Sequence, residues 1–316
     1  MSAAFSGVVT SLITPFVSRL DADVGVDTEV DTFRVAALTR WQARSGISAV
    51  AVAGWAGEGS TLDRAERIAL VEAASEAKDG MAVLAHVGSP STAKSIALAL
   101  DAAAAGADGL VLVMPFYNKP SYAGIRGHVE AVARATALPL LLEFDEAATN
   151  IRLSPGQMAE LTRVENVAGI VDHSPNPLHV ECMSGARHGT TFLAAHEPTA
   201  TACGLLGADG LFSAVANVDP AGVVALWEAI DRNDAERARA LHARLKPLVD
   251  LVEAEGVAAM KDLVHDVVGS ETTVRLPLHP LCRSARQRSA DVGRALAASL
   301  LPVSAAHVVR SLKVAL

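Results

Sequence analysis

Carboxylate and imidazole side chains stand directly after three short apolar segments of this sequence. Glu143 follows one segment, His173 follows the next, and His196 with Glu197 follows a third. A carboxylate in apolar surroundings has a raised pKa and can act as a general acid or base, with an imidazole as its proton-transfer partner. We therefore predict Glu143, His173 and His196 as catalytic residues for proton transfer. The alternative is that they are separate solvated residues without a role.

The same side chains could instead bind a divalent metal ion. Glu143, His173 and His196 offer one carboxylate and two imidazoles, which suit zinc, manganese or iron, and His86 or Glu197 could join them. Such an ion would polarise a carbonyl group as a Lewis acid. No HxH or HExxH spacing supports a metal site, so we expect no metal and no other cofactor, and the metal site stays an alternative.

The composition limits the classes of partner. The 316 residues are 51% hydrophobic with a mean hydropathy of +0.31, so the chain can bury a large core. The formal net charge is -8 and no basic cluster offsets it, which argues against a nucleic-acid partner. The cysteines are few and widely spaced, and neither a membrane-length apolar run nor a secretory signal pattern occurs. We therefore expect a cytoplasmic protein without membrane contact.

Short β-branched segments alternate with longer alanine-rich amphipathic segments. This alternation predicts parallel strands joined by helices and closed into a (β/α)8 TIM barrel. An open doubly wound sheet is the weaker alternative, because no GxGxxG motif follows the first strand. The predicted strands are Gly7–Thr14, Ala49–Ala53, Ala82–Ala85, Gly109–Val113, Leu138–Leu142, Val167–Ile170, Thr191–Ala194 and Gly210–Ser213. The predicted helices between them include Thr28–Ser45, Asp63–Lys78, Ser91–Ala105, Tyr122–Ala135 and Ser154–Val164.

The strand pattern stops after about Asp219, and only helical patterns follow. These predict a barrel domain over residues 1–231 and a small all-helical C-terminal domain over residues 232–316. The tail, His307–Leu316, is predicted to form a last helix or to fray. The helices predicted beyond Asp219 are Ala221–Ile230, Asp234–Val252, Val257–Val268 and Val292–Leu300.

Motifs along nearly the whole chain resemble the dihydrodipicolinate synthase / N-acetylneuraminate lyase family. The resemblance implies a (β/α)8 barrel that acts as an aldolase-type lyase through a lysine Schiff base with a keto acid. It also implies a homo-oligomer, either a dimer or a tetramer, with a tyrosine that crosses a subunit interface. The motifs are Gly7–Phe16, Gly54–Leu62 with Glu66 and Arg67, Pro115–Pro120, Leu153–Pro155, Asn166–Ile170 and Gly210–Asn217.

The chain departs from the family at the Schiff-base position, where it carries Val171. A valine has no amine with which to form an imine, so Schiff-base aldolase activity is not expected. Other lysines, such as Lys119 and Lys261, fall in a turn or in the C-terminal helices and are not expected to reach the barrel mouth. Because the family lysine faces the barrel, Val171 should face it too, which points Asp172 away and returns His173 toward the mouth.

Other positions that carry the family's chemistry are also changed. Glu143 stands where the family has a proton-relay tyrosine. Ala148 stands where the family has an arginine that binds a substrate carboxylate. Trp55 and Ala56 replace two threonines, one of the proton relay and one of the carboxylate site. The tyrosine that crosses a subunit interface in the family is kept in this chain, where the resemblance matches it to Tyr117.

Three functions remain open. The first is a lyase-family protein that acts on or binds a small oxo or hydroxy acid at the barrel mouth without a lysine Schiff base. Glu143 would be its general acid or base, assisted by His173, His196 and Tyr117. The second is a catalytically silent paralogue, either a sensor or a partner subunit of an active relative, and the third is a metal-dependent aldolase or hydratase. The predicted substrate-binding residues are Trp55, Ala56, Val171 and Glu197.

Overall fold

Eight parallel strands form a closed barrel, so the predicted fold class is confirmed. The computed structural model describes residues 5–21, 25–184 and 189–299. The strands are β1 Gly7–Ser11, β2 Phe16–Asp21, β3 Gly25–Val30, β4 Ala49–Val52, β5 Ala82–His86, β6 Gly109–Val113, β7 Leu140–Phe144, β8 Val167–Asp172, β9 Thr191–Ala194 and β10 Gly210–Ser213. The barrel order is β1-β10-β9-β8-β7-β6-β5-β4, while β2 and β3 form a separate antiparallel pair.

Helices follow most barrel strands, and further helices follow the last strand. Short 3-10 turns lie at Gly59–Thr61, Glu197–Thr199 and Val215–Asn217. The helices are α1 Thr32–Arg44, α2 Arg64–Ala77, α3 Thr92–Ala104, α4 Tyr122–Ala133, α5 Glu146–Thr149, α6 Pro155–Leu161, α7 Leu178–Ser184, α8 Ala200–Leu205, α9 Pro220–Asp231, α10 Ala235–Glu255, α11 Val257–Val268 and α12 Arg283–Ser299. Within the described ranges, no helix has the length and apolar composition needed to cross a bilayer.

The hairpin of β2 and β3 corrects the predicted helix Thr28–Ser45. Residues 28–30 belong to β3 and pair with β2, and the helix begins only at Thr32, where the Asp31 carboxylate caps it by accepting from the Arg34 backbone N–H. The β-branched residues Val26, Thr28 and Val30 alternate with polar ones, which favours a strand over a helix. The hairpin is therefore an insertion between the first barrel strand and its helix.

The C-terminal helices pack against one another and onto the barrel. Helix α10 contacts α8, α9, α11 and α12, which places its C-terminal end beside the barrel mouth. A helical region after the barrel is thus present, and α9 ends at Asp231, where the predicted domain boundary lies. The predicted tail helix His307–Leu316 lies outside the described residues.

Alternate residues of the barrel strands point to the inside of the barrel. Their apolar members form one interior cluster that is separate from the layer between strands and helices. Val171 belongs to this interior cluster and is fully buried, and it pairs in register with Glu143 and Leu193 on the neighbouring strands. The interior cluster consists of Val9, Ala49, Ala51, Leu84, Val111, Leu141, Val171, Leu193, Ala195 and Phe212.

The loop after β4 is anchored by buried ion pairs. Glu58 is 3% exposed, and its carboxylate lies 2.5 Å from the Lys261 ammonium group of α11 and accepts from the Arg275 backbone N–H at 2.8 Å. The Arg275 guanidinium in turn pairs with Glu66 of α2 at 2.5 Å, and the Lys261 ammonium lies 4.0 Å from the centre of the Phe16 ring. We call Glu58, Lys261, Glu66, Arg275 and Phe16 the Glu58 cluster. It joins the β4–α2 loop to the hairpin and the C-terminal helices.

Candidate active site

A cleft of about 350 Å³ opens at the C-terminal end of the barrel strands. This is the position at which such barrels carry their functional groups. Strands β7, β8, β9 and β10 supply its base, the β4–α2 loop and α5 supply two walls, and the end of α10 supplies a third. The lining residues are Ser11, Trp55, Glu143, Asp145, Ala147, Ala148, His173, Ala195, His196, Glu197, Phe212, Ala214, Val252, Glu253 and Gly256.

Glu143 lies at the base of the cleft between two histidines. Its side chain is only 9% exposed; Oε1 is 2.9 Å from His173 Nε2, and Oε2 is 3.3 Å from His86 Nδ1. The Phe212 ring packs edge-on against both imidazoles, with centroids 6.0 Å from His86 and 6.4 Å from His173. We call Glu143, His86 and His173 the Glu143 cluster. Strand alternation brings these side chains together, because all three residues fall on inward-facing positions of the barrel.

The pKa of Glu143 moves opposite to the sequence-based expectation. Burial alone raises the pKa of this carboxyl group, but the charges and hydrogen bonds of His86 and His173 outweigh burial and lower the pKa below its ordinary value. The prediction of a raised pKa at Glu143 is therefore wrong. For His173, burial lowers the pKa, but the hydrogen bond and charge of Glu143 dominate and raise it. The pair thus favours an ionised Glu143 and the protonated form of His173.

Two neighbouring residues hold His86 in place. A Cβ atom at Gly54 would stand 2.4 Å from His86 Nε2, so only glycine leaves room for this ring orientation. The Arg67 guanidinium donates to the backbone carbonyl of His86 at 3.1 Å and also donates to the carbonyl of Gly59. Arg67 thereby connects the end of β5 to the β4–α2 loop, which carries Trp55.

Glu197 is a second carboxylate in the cleft, and its side chain is half-buried. Its Oε1 accepts hydrogen bonds from Ser213 Oγ at 2.8 Å, Ala214 N at 2.7 Å and Val215 N at 3.1 Å. Burial raises the pKa of Glu197; the three hydrogen bonds only partly offset this effect, and the charge of Glu253 adds to it. The carboxyl group with a raised pKa at the mouth is thus Glu197, and not Glu143 as the sequence predicts.

Asp145 and His196 are fixed by local hydrogen bonds. Asp145 caps α5 by accepting from the Ala148 backbone N–H at 2.9 Å, and its Oδ2 lies 3.9 Å from His173 Nδ1, beyond hydrogen-bonding distance. His196 Nδ1 lies 2.9 Å from Thr199 Oγ1. His173 Nδ1 therefore makes no hydrogen bond to Asp145, whereas its Nε2 is bound to Glu143.

The predicted substrate-binding residues do not all reach the cleft. Trp55 and Glu197 line it, and Trp55 is 61% exposed. Val171 and Ala56 are fully buried, so both lie outside the lining. Val171 points into the packed barrel interior beneath the Glu143 cluster, where its small apolar side chain packs with the other apolar residues.

Tyr117 lies apart from the other predicted catalytic residues. It is 89% exposed in the single chain and does not line the cleft, whereas Glu143, His173 and His196 all do. Asp172 points away from the mouth and lies 3.3 Å from His179 Nδ1, and His173 turns back toward it. No lysine lines the cleft in the described part of the chain, and Lys261 is occupied by Glu58.

Sequence reasoning left three contributors out of the predicted site. The sequence suggests His86 only as a possible metal ligand, although strand alternation already places it on an inward position. Phe212 reads as an ordinary core residue of β10, and Glu253 belongs to a helix far along the chain. No local sequence pattern places Glu253 at the mouth, because its position there depends on how α10 packs onto the barrel.

The alternative metal site from Glu143, His173 and His196 does not correspond to a metal-binding arrangement. Across residues 5–21, 25–184 and 189–299, no group of three histidine, cysteine, aspartate or glutamate residues could hold a metal ion. Both oxygens of Glu143 instead face imidazole nitrogens at hydrogen-bonding or ion-pair distance.

Comparisons with known proteins agree with the barrel and its motifs. The model of the dihydrodipicolinate synthetase family matches residues 4–296. A 4-hydroxy-tetrahydrodipicolinate synthase of Alcanivorax borkumensis is 32% identical over 91% of this chain and 96% of its own length. That of Acidiphilium cryptum is 33% identical over 93% of this chain and 100% of its own. The solved structure of the synthase of Methylacidiphilum fumariolicum superposes with a TM-score of 0.86 at 26% identity, covering 96% of this chain and 99% of that one.

Proposed function

Since this chain belongs to the dihydrodipicolinate synthetase family, we propose that it binds a small oxo or hydroxy compound at the barrel mouth and transfers protons on it without forming an imine. One observation carries the proposal: a hydrogen-bonded Glu143–His173 pair at the base of a cleft whose described lining contains no lysine. Proton transfer needs a proton donor, and the contact with Glu143 favours the protonated form of His173 by raising its pKa.

His173 is the general acid in this proposal. The bond from Nε2 to Glu143 fixes the ring orientation and stabilises the imidazolium, so Nδ1–H is directed to the ligand's carbonyl oxygen. Glu143 acts as a positioning residue, because its lowered pKa keeps it ionised and both its oxygens are occupied by imidazoles. This assignment exchanges the roles that the sequence suggested for the two residues.

Glu197 is the general base. Its raised pKa makes the carboxylate more basic, and the hydrogen bonds from Ser213, Ala214 and Val215 all go to Oε1, which leaves Oε2 to accept a proton. In the proposed step, Glu197 removes a hydrogen from the carbon next to the carbonyl. The C–H electron pair becomes a C=C bond, the C=O π pair moves to oxygen, and this oxygen takes the proton of His173 Nδ1. The product is an enol, and Glu197 exchanges the proton it removed with solvent. In the return step the enol takes a proton from Glu197 at carbon and gives its O–H proton back to His173.

Exchange of carbon-bound hydrogen tests this function. Simple methyl ketones are incubated with the protein in D₂O, and loss of the methyl proton signal is followed by NMR. We expect exchange above the buffer rate, and losses of about 10²- to 10⁴-fold in His173→Phe and Glu197→Gln. The exposed Glu236, at the start of α10, provides the matched control Glu236→Gln, which should exchange normally. Ligand binding without any exchange would contradict the proposal and favour the silent paralogue, acting as a sensor.

Imine formation is tested separately with pyruvate and borohydride. Wild-type protein should show no added mass after reduction, because Val171 offers no amine and Lys261 is 0% exposed. A stable adduct on any lysine would restore Schiff-base chemistry and remove the basis of the proposal.

We also propose that the chain forms a homo-oligomer. Phe116 and Tyr117 are adjacent, and in the single chain they are 36% and 89% exposed, a large apolar area for one turn. Light scattering should give a mass above 32.7 kDa, the mass of one chain, and Tyr117→Asp should shift the protein toward monomer. A monomeric wild-type protein at millimolar concentration would contradict this proposal.

A further inference from the structure

The cleft is rich in carboxylates and poor in basic groups. Four acidic residues line it, whereas no lysine or arginine does among the residues that the structure describes. Imidazoles are its only basic side chains in that lining, and one of them, His173, is already paired with Glu143. The lining carboxylates are Glu143, Asp145, Glu197 and Glu253.

Pairing neutralises only part of this negative charge. Glu143 has two histidine partners, but neither Glu197 nor Glu253 has an ion pair within the described ranges. The two carboxylates lie close enough that Glu253 raises the pKa of Glu197. Bringing another anion into the cleft would add to this repulsion, whereas a cation would relieve it.

An aromatic ring lies beside the less buried of these carboxylates. Trp55 lines the cleft together with Glu253, and its Cζ2 atom lies 3.7 Å from the position of a Cβ at Gly256, just beyond the end of α10. The indole ring thus packs at the same helix end that carries Glu253. An exposed indole face beside a carboxylate is a favourable setting for an ammonium group, which gains both a cation–π contact and an ion pair.

We propose, on the basis of the proton-transfer function above, that the ligand is a small carbonyl compound bearing a protonated amine, with the ammonium group between Trp55 and Glu253. Its carbonyl oxygen faces His173 at the base of the cleft. This replaces the oxo or hydroxy acid predicted from the sequence. The alanines Ala147 and Ala148, which form the wall of the cleft on α5, offer no cation to a carboxylate.

Three probes with one methyl-ketone skeleton separate charge from shape. Aminoacetone is a cation, hydroxyacetone is neutral and pyruvate is an anion. Dissociation constants are measured by NMR titration at low ionic strength. We expect aminoacetone to bind at least about tenfold more tightly than pyruvate, with hydroxyacetone between them, and the ratio to shrink in 0.5 M salt. Pyruvate binding as tightly as aminoacetone, or no binding of aminoacetone, would overturn the proposal.

Two variants assign the charge preference to a residue. Glu253 is exposed, so Glu253→Gln should fold normally and lower the aminoacetone-to-pyruvate ratio several-fold. Glu236→Gln on the same helix removes the same charge away from the cleft and should leave the ratio unchanged. An equal drop in both variants would mean that net charge, not the site, sets the preference, which also overturns the proposal.

Hydrogen exchange in the same samples distinguishes this inference from the proposed function. The predicted order of binding without exchange would support the amine ligand and contradict proton transfer. Exchange that is fastest with pyruvate, combined with preferential pyruvate binding, would support proton transfer and contradict the amine ligand.

Discussion

Two buried carboxylates of this protein differ chiefly in the partners that surround them. Glu143 and Glu58 are 7% and 3% exposed, and each contacts two basic residues. The partners of Glu143 are the imidazoles of His86 and His173, a side chain that often serves as a general acid or base. In the Glu58 cluster they are the Lys261 ammonium group and the backbone of Arg275. The difference separates a pair that can exchange protons from one that holds elements together.

Access to solvent separates the two clusters in the same way. The Glu143 cluster opens onto the cleft through His173, whose side chain is 26% exposed. The Lys261 side chain is 1% exposed and donates to the backbone carbonyl of Thr273 at 2.7 Å. Burial lowers the pKa of Lys261 to about 8, although Glu58 opposes this effect, so the amine still carries its charge at pH 7. Because no ligand can reach the Glu58–Lys261 ion pair, we assign it a structural role and no role in chemistry.

The largest predicted effect is on stability, from breaking the Glu58 cluster. Glu58→Ala leaves the Lys261 ammonium group buried without its counter-ion, which should lower the free energy of unfolding by about 3–5 kcal/mol. Urea denaturation followed by circular dichroism measures it.

Glu130 provides the control for this prediction. It pairs with Arg126 and Arg134 on the surface of α4, so Glu130→Ala should cost less than about 1 kcal/mol. If Glu58→Ala costs no more than Glu130→Ala, the Glu58 cluster does not anchor the β4–α2 loop. The double variant Glu58→Leu/Lys261→Met should recover part of the loss, because no buried charge is left unpaired.

The barrel was predictable from the sequence because its signals are local. Short β-branched segments and alanine-rich helices recur along the chain, and their alternation favours a closed barrel over the open doubly wound sheet. The same alternation correctly directs Val171 and His173 inward and Asp172 outward. The sequence does not reveal the hairpin of β2 and β3, since β3 leads almost directly into α1 and the two patterns merge.

The site was only partly predictable because its electrostatics depend on distant segments. The sequence indicates Glu143 and His173, but it does not show that His86 reaches the second oxygen of Glu143 and reverses its pKa shift. Nor does it show that Glu253 of α10 reaches the mouth and acts on Glu197. The direction of a pKa shift is set by tertiary neighbours, so residue type and strand position alone are insufficient.

The second predicted effect is a pH-dependent loss of stability from the Glu143 cluster. His173→Phe keeps the ring but removes the hydrogen bond to the carboxylate, which should cost about 1.5–3 kcal/mol near pH 5.5. The raised pKa of His173 contributes stability below its ordinary value of 6.5, and this contribution disappears as pH rises through the folded value. The lowered pKa of Glu143 contributes above its ordinary value of 4.5 and is lost as pH falls through the folded value.

The deficit of His173→Phe should therefore be greatest between these two ordinary pKa values and should shrink on the alkaline side. Urea denaturation of variant and wild type at several pH values measures it. His196→Phe gives a comparison in the same cleft, because His196 bonds to the Thr199 hydroxyl and not to a carboxylate. A His173→Phe deficit that stays constant from pH 5 to pH 9 would show that Glu143 and His173 are not coupled by charge.

The smallest predicted effect on stability comes from the other end of the β4–α2 loop. Trp55 is 61% exposed, so Trp55→Ala should change the free energy of unfolding by no more than about 0.5 kcal/mol, in contrast to Glu58→Ala in the same loop. The affinity of the Trp55→Ala variant for aminoacetone should nevertheless fall roughly two- to fivefold, because the cation–π contact is lost. Trp55→Phe, which keeps an aromatic face, should retain part of this affinity. The opposite outcome is that Trp55→Ala destabilises the chain as strongly as Glu58→Ala. In that case the β4–α2 loop is one structural unit, and the division into an anchoring end at Glu58 and a ligand-binding end at Trp55 is wrong.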